Sequence, residues 1–146
     1  KKHKLNFIDI DLNIQKKNLM NISEIFKKKG EDYFRIEEEK EALKSLKKVN
    51  CIIALGGGAF INKTIRKYIL KNAISIWMDI NIEKLDSRIK NNSKRPLLKK
   101  ENNKEKLRLI YKERKKIYEL ADYKIDCSNL NKMEIVNKII TLYEKH

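Results

Sequence analysis

Proline and tryptophan each occur once in these 146 residues, cysteine twice and glycine four times. So little proline and glycine leaves the chain without the punctuation that separates domains, and no stretch reads as an interdomain linker. No apolar run approaches the roughly 20 residues of a membrane span. The opening KKHKLNFIDID has no apolar stretch long enough for a secretory signal, so a cytoplasmic protein without membrane attachment is expected. Cys51 and Cys127 stand singly in strand-like segments, without CxxC or Cys/His spacing. That excludes a zinc or redox motif built on them and leaves buried free thiols. Arginine is scarce too, contributing six of the 35 basic residues.

Lysine is what the chain has in abundance, and it carries the formal net charge to +15. Such charge invites a nucleic-acid reading, because lysines that neutralise phosphates release counterions. Here lysine is spread through every segment with no basic stripe interleaved with aromatics, so the charge reads as a solvated surface. No nucleic-acid partner is expected; small anionic substrates are favoured. Against a lysine background, Arg35, Arg66, Arg88, Arg95, Arg108 and Arg114 mark places where a planar fork for carboxylate or phosphate is of use. Taken one at a time, each is also what chance would give.

With 41% hydrophobic residues the chain can build one core of ordinary size, and a single domain over residues 1–146 is expected. NFIDI, VNCIIAL, ISIWMDI and YKIDC read as short strands. Between them run helical patterns: DLNIQKK, SEIFKKKG with a Ser cap and Gly30 as its stop, EDYFRIEEEKEALKSLKK, and TIRKYILK after Asn62. NIEKLDSRIKNN after Asn81, EKLRLIYKERKKIYELA and KMEIVNKIITLYEK follow. NNSKRPLLKKENNK, which holds the proline, reads as a mobile loop. The alternation predicts an α/β fold with a doubly wound parallel sheet, helices on both faces and ligands at the carboxyl ends of the strands. Asp9 and Asp11, the triple glycine and Asp79 stand at those ends.

Asp9 and Asp11 bracket a strand end with Ile10 pointing elsewhere, so both carboxylates can face one crevice. One can hold magnesium through water while the other orients a hydroxyl proton. A helix cap plus a solvated carboxylate accounts for the pair equally well. Gly56, Gly57 and Gly58 let backbone N–H groups approach an anion or hydroxyl closely, although a tight strand-to-helix turn is the commoner meaning of such a run. The loop is not a nucleotide phosphate loop, since GxxxxGK[ST] does not occur in these residues. Arg35 and Glu38, three apart on a helix, form a steered guanidinium or a plain surface ion pair. Arg95 lies in the loop, where it can swing over transferring phosphates; Arg88 precedes it and Arg114 follows on the next helix.

FIDID, EIFKKKGEDYFRIEE, ALGGGAFIN, RIKNNSKRPLL and ERKKIYELAD, in this order and at these spacings, closely resemble shikimate kinase, a P-loop kinase of the nucleoside monophosphate kinase-like type. The likeness runs from the first residue to about Asp126. It implies transfer of the γ-phosphoryl group of ATP to the 3-hydroxyl of shikimate, a step toward chorismate and the aromatic amino acids, with Mg2+ and a monomeric chain. By this resemblance Asp11 holds the shikimate hydroxyls and is the candidate base, while Asp9 lies near magnesium. Arg35 and Arg114 grip the carboxylate, with Glu38 in support. Gly57, flanked by Gly56 and Gly58, makes a backbone contact to a hydroxyl. Arg95, on a lid at about residues 93–104, reaches the ATP phosphates, and Arg88 lies beside the adenine. A gluconate-type kinase of the same fold, or a non-catalytic module binding a hydroxylated acid, are the alternative readings.

Shikimate kinases open with a strand, a GxxGxGK[ST] loop and a helix, whereas this chain opens on KKHKLNF and has no initiating methionine. The expectation is therefore a three-layer fold lacking its N-terminal strand and Walker A loop. It carries with it a central vacancy between the strand ending at Leu55 and ISIWMD, and an inactive fragment.

Overall fold

Strand β1 (Asn6–Asp9) runs parallel to β2 (Cys51–Ala54), in the register Asn6↔Cys51 through Asp9↔Ala54. Residues 5–85 and 103–145 are described in this computed structural model. They fall into two compact units, Lys1–Ala73 and Ile74–His146.

In the first unit Asp9 ends β1 and caps α1 (Ile10–Asn18), after which α2 (Ile22–Ser45) packs along α1. The α2 cap is Asn21, whose side chain accepts from the Glu24 N–H while Glu24 returns a bond to the Asn21 N–H. The sequence favours Ser23 as that cap, but Asn21 with Glu24 completes a reciprocal box that satisfies two end donors, and Ser23 lies within the helix. Ile8, Ile10, Ile14, Ile25 and Phe34 close the core between the strand and the two helices. Each such side chain contributes about 1.5–3 kcal/mol by leaving water. After β2 the chain passes through the glycine loop and a short 3-10 turn (Ala59–Ile61) into α3 (Lys63–Asn72). Asn62 caps α3 by accepting from the Thr64 and Ile65 N–H groups, as the sequence predicts. A second cluster of Ala42, Ala59, Ile65 and Ile69 joins α2, the turn and α3.

Gly30 breaks the helical path inside α2, in keeping with its reading as a stop: its φ 85° and ψ 170° are not helical, and two helical stretches meet at the kink. Side chains essentially exclude that backbone region, at a cost of about 1–3 kcal/mol. Gly30→Ala is therefore expected to lower unfolding free energy by about that much, read by urea denaturation, although no atom lies within 4 Å of the added methyl. An unchanged midpoint would show that the kink carries no strain.

In the second unit β3 (Ile76–Asp79) pairs in parallel with β4 (Tyr123–Asp126), and helices α4 (Asn103–Tyr118) and α5 (Lys132–Tyr143) accompany them. Asp122 accepts from both the N–H and the hydroxyl of Ser75, which pins the entry to the two strands. Trp77 has Tyr111 and Tyr118 as ring neighbours, at 6.4 and 5.8 Å between centroids. Ile125, Cys127 and Ile135 form this unit's core, and α5 starts at an Asn131–Glu134 capping box. Neither cysteine forms a disulfide; Cys127 is buried and Cys51 half-buried. No helix among the described residues is long and apolar enough to cross a membrane.

The sequence-based picture of a three-layer sheet whose central first strand is missing is corrected here. A first strand is in place as β1, and the described strands form two parallel pairs, β1–β2 and β3–β4. The physical basis is the ladder itself: all four residues of β1 are matched to β2, so the strand has the neighbour it needs.

Candidate functional site

Asp9 and Asp11 divide the work that the sequence left open. Asp9 Oδ1 accepts from the Leu12 N–H at 3.0 Å, so this carboxylate caps α1. The cap turns the chain from strand to helix and carries Asp11 into the first turn, where its Oδ1 is buried.

Close approach by side chains accounts for two of the three loop glycines. Gly58 has φ −82° and ψ −27°, an ordinary conformation for any residue. A Cβ added there would run into the Arg35 guanidinium, 2.9 Å from Cζ and 3.1 Å from Nη2. A Cβ added at Gly56 would lie 3.2 Å from Glu38 Oε1 and 3.4 Å from Asp11 Oδ1. The loop after β2 is thus a bare floor on which Arg35, Glu38 and Asp11 rest, and these five residues come together. Gly57 is exposed at the tip.

Arg35 is steered as its spacing to Glu38 suggests. Nη1 donates to Glu38 Oε2 at 2.7 Å, while Nε and Nη2 both donate to Glu31 Oε1, at 3.2 and 3.0 Å. Glu38 is 2% exposed, so this is no plain surface pair. Burial works against the guanidinium charge, but hydrogen bonding and attraction from Glu38, then from Glu31, outweigh it and hold Arg35 above its ordinary pKa.

The sequence reading passed over the neighbours of Glu38. Successive helical residues point about 100° apart, so three adjacent carboxylates on α2 address three different partners. Glu37 takes the Lys17 ammonium of α1 at 2.6 Å, and that bond, against some desolvation, holds its carboxyl below the usual range. Glu38 serves Arg35. Glu39 Oε2 accepts from Asn62 Nδ2 at 2.5 Å, tying the α3 cap to α2 just beyond the glycine loop. Arg66 closes the same corner by donating to the Phe60 and Ile61 carbonyls. The available signal was the run EEE on a helix already committed to burying Phe34 and Ala42, which forces some of those carboxylates inward.

Asp79 is committed within the second unit. Lys124 Nζ lies 2.8 Å from its Oδ2 and over the Trp77 ring, and the Tyr111 hydroxyl donates to it at 3.2 Å. Burial, then the Asp79 charge, push the Tyr111 phenol above its ordinary pKa. Arg114 is half-buried on α4. Arg88, Arg95 and the expected lid, up to the start of α4, lie outside the described residues. Among the described residues no three His, Cys, Asp or Glu side chains gather to hold a metal. Magnesium in phosphoryl-transfer sites is held by one or two carboxylates and the substrate phosphates, so a single carboxylate at a strand end, such as Asp9, still fits it.

Comparison with known proteins gives consistent matches. The sequence model of the shikimate kinase family matches residues 1–144. A shikimate kinase of Thermoanaerobacter pseudethanolicus is 39% identical over 137 residues, covering 94% of this chain and 80% of that protein. One of Bartonella henselae is 38% identical over 136 residues, covering 93% of this chain; the chain spans 65% of that protein's length. Among solved structures, shikimate kinase from Acinetobacter baumannii in complex with shikimate superposes with a TM-score of 0.88 at 30% identity, over 97% of this chain and 79% of the other. The expectation of a family fold without its first strand is corrected by β1 and by a family match that begins at residue 1, while the spelling GxxxxGK[ST] itself does not occur in these residues.

Proposed function

The chain belongs to the shikimate kinase family, ATP-dependent kinases of a small hydroxylated acid, and we propose that it transfers the γ-phosphoryl group of ATP to the 3-hydroxyl of shikimate, with the Asp11, Arg35, Glu38 and glycine-loop cluster as the acceptor side. The observation that carries this reading is the Arg35 guanidinium lying on Gly58 with the buried Glu38 bonded to its Nη1. A planar fork fixed in that way suits a carboxylate guest, which it can bond through two parallel N–H donors.

In this reading Arg35 holds the acid's carboxylate and so sets the orientation of the ring, and Arg114 is assigned to the same guest by the family likeness alone. The backbone at Gly57, between Gly56 and Gly58, meets a ring hydroxyl. Asp11 receives the proton of the attacking hydroxyl as the new O–P bond forms and the bond to the ADP oxygen breaks. Phosphoryl transfer asks the protein mainly for such positioning and for charge neutralisation. In the same reading Asp9 would reach magnesium through water, and Mg2+ when bound would neutralise charge on the transferring phosphoryl group. Arg95 and Arg88, outside the described residues, are assigned by the family likeness to the phosphates and the adenine of ATP.

Calorimetry with shikimate tests the acceptor side. Arg35→Lys keeps the charge but loses the fork, and a charge-assisted hydrogen bond is worth about 1.5–3 kcal/mol, so binding is expected to weaken about tenfold or more. Equal affinity for shikimate in the variant and the parent would remove Arg35 from the site.

A further inference from the structure

The guanidinium of Arg35 has two edges that can take a carboxylate, side-on through Nε with Nη2 and end-on through Nη1 with Nη2. The edge through Nη1 is committed to Glu38, whose oxygen is 2.7 Å away on a side chain 3% exposed. The remaining edge, Nε with Nη2, is spanned by one oxygen of Glu31, at 3.2 and 3.0 Å. Glu31 is 54% exposed, one turn before Arg35 and next to the Gly30 kink. The buried partner and the exposed partner therefore differ in kind. Removing Glu38 would strand a cation on the glycine floor, whereas Glu31 can rotate into water at little cost, since exposed i,i+4 pairs are weak.

We infer that Glu31 is a specificity-determining residue: it occupies, in the absence of ligand, the edge of Arg35 that the acid's carboxylate must take, so an incoming acid has to displace it. The inference rests on Arg35 being the carboxylate grip. Two carboxylates already face one guanidinium, so Arg35 with Glu31 and Glu38 carries a net negative charge until Glu31 moves away. Weakly acidic or neutral hydroxylated compounds gain nothing from displacing it, while a planar carboxylate that forms two parallel bonds does. Glu31 thus lowers affinity for every acid while leaving the strongest fork-forming acids as the ones that bind.

The test is titration calorimetry of the whole chain with shikimate and with its neutral methyl ester. Glu31→Gln keeps the size of the side chain and removes its charge. The dissociation constant for shikimate is expected to fall about two- to fivefold, that for the ester to stay unchanged, and the effect to vanish in an Arg35→Ala background. Unchanged or weaker shikimate binding by Glu31→Gln overturns the inference, as does equal tightening for the ester. If Arg35→Ala weakens shikimate binding while Glu31→Gln leaves it alone, the acceptor-site reading stands and the role of Glu31 alone falls. If Arg35→Ala has no effect on binding, both fall together. Thermal melts of each variant, expected within a few degrees of the parent, separate a binding change from unfolding.

Discussion

Asp11→Asn is expected to lower kcat by about two to four orders of magnitude, the range that removal of a positioned general base produces, while leaving the shape of the acceptor pocket intact. The substitution is nearly isosteric. Asp11 lies in the first turn of α1, and its Oδ1 is 3.4 Å from where a Cβ on Gly56 would be, so its surroundings are set by backbone and by Glu38. An amide can still bond a ring hydroxyl, so the KM for shikimate should change by less than about tenfold, the worth of one charge-assisted bond traded for a neutral one. Steady-state rates with shikimate varied at saturating ATP separate the two parameters. A large rise in KM with an unaltered kcat would make Asp11 a binding group and leave the proton without an acceptor.

Gly58→Ala is expected to move stability and function in opposite directions. At φ −82° and ψ −27° alanine is as comfortable as glycine. By restricting the unfolded chain it can add about 0.4–1 kcal/mol to stability. What the new methyl meets is the far end of the Arg35 side chain, which can swing aside. Folding should hardly register the change, with the unfolding free energy within about 1 kcal/mol of the parent. The guanidinium cannot stay where it was, however, and displacing a binding group by about 1 Å can cost about 100-fold in kcat/KM. Denaturation and kinetics on one preparation decide the matter. Loss of stability without loss of acceptor affinity would mean that the glycine serves the turn and nothing else.

The sequence carried the elements well where local chemistry is decisive. The four strands were legible as short apolar runs, and Asn62 and Asn81 as caps, because an Asx side chain accepting from N–H groups two or three residues on needs no tertiary partner. Ser23 shows the limit: two cap-forming residues stood close together, and the box that Asn21 makes with Glu24 decided between them. Of the site, Asp11, Arg35, Glu38 and the three glycines were identified, but the reason for Gly56 and Gly58 was not. Neither backbone strain nor a phosphate accounts for them; side chains from α1 and α2 press on them, and nothing in the loop's own residues encodes that. Glu37 and Glu39 were invisible for a related reason. Their partners lie on α1 and at the head of α3, and the pairing exists only once the helices are packed. Glu31, one turn before Arg35 on the same helix, was legible from its i,i+4 spacing and was passed over. The missing first strand was the misreading, since the absence of one motif was taken for the absence of a structural element.

The three adjacent carboxylates of α2 point about 100° apart and so mark off that turn of helix like a ruler. Adding one residue between Arg35 and Glu37 would rotate everything beyond it by about 100° and advance it by about 1.5 Å. Glu37 would then face the guanidinium and Glu38 the asparagine amide, so both places would still hold a carboxylate, while the lysine of α1 would lose its own. Ala42 would turn away from Ala59 and Ile65, so the insertion is felt in the second core cluster rather than at the guanidinium.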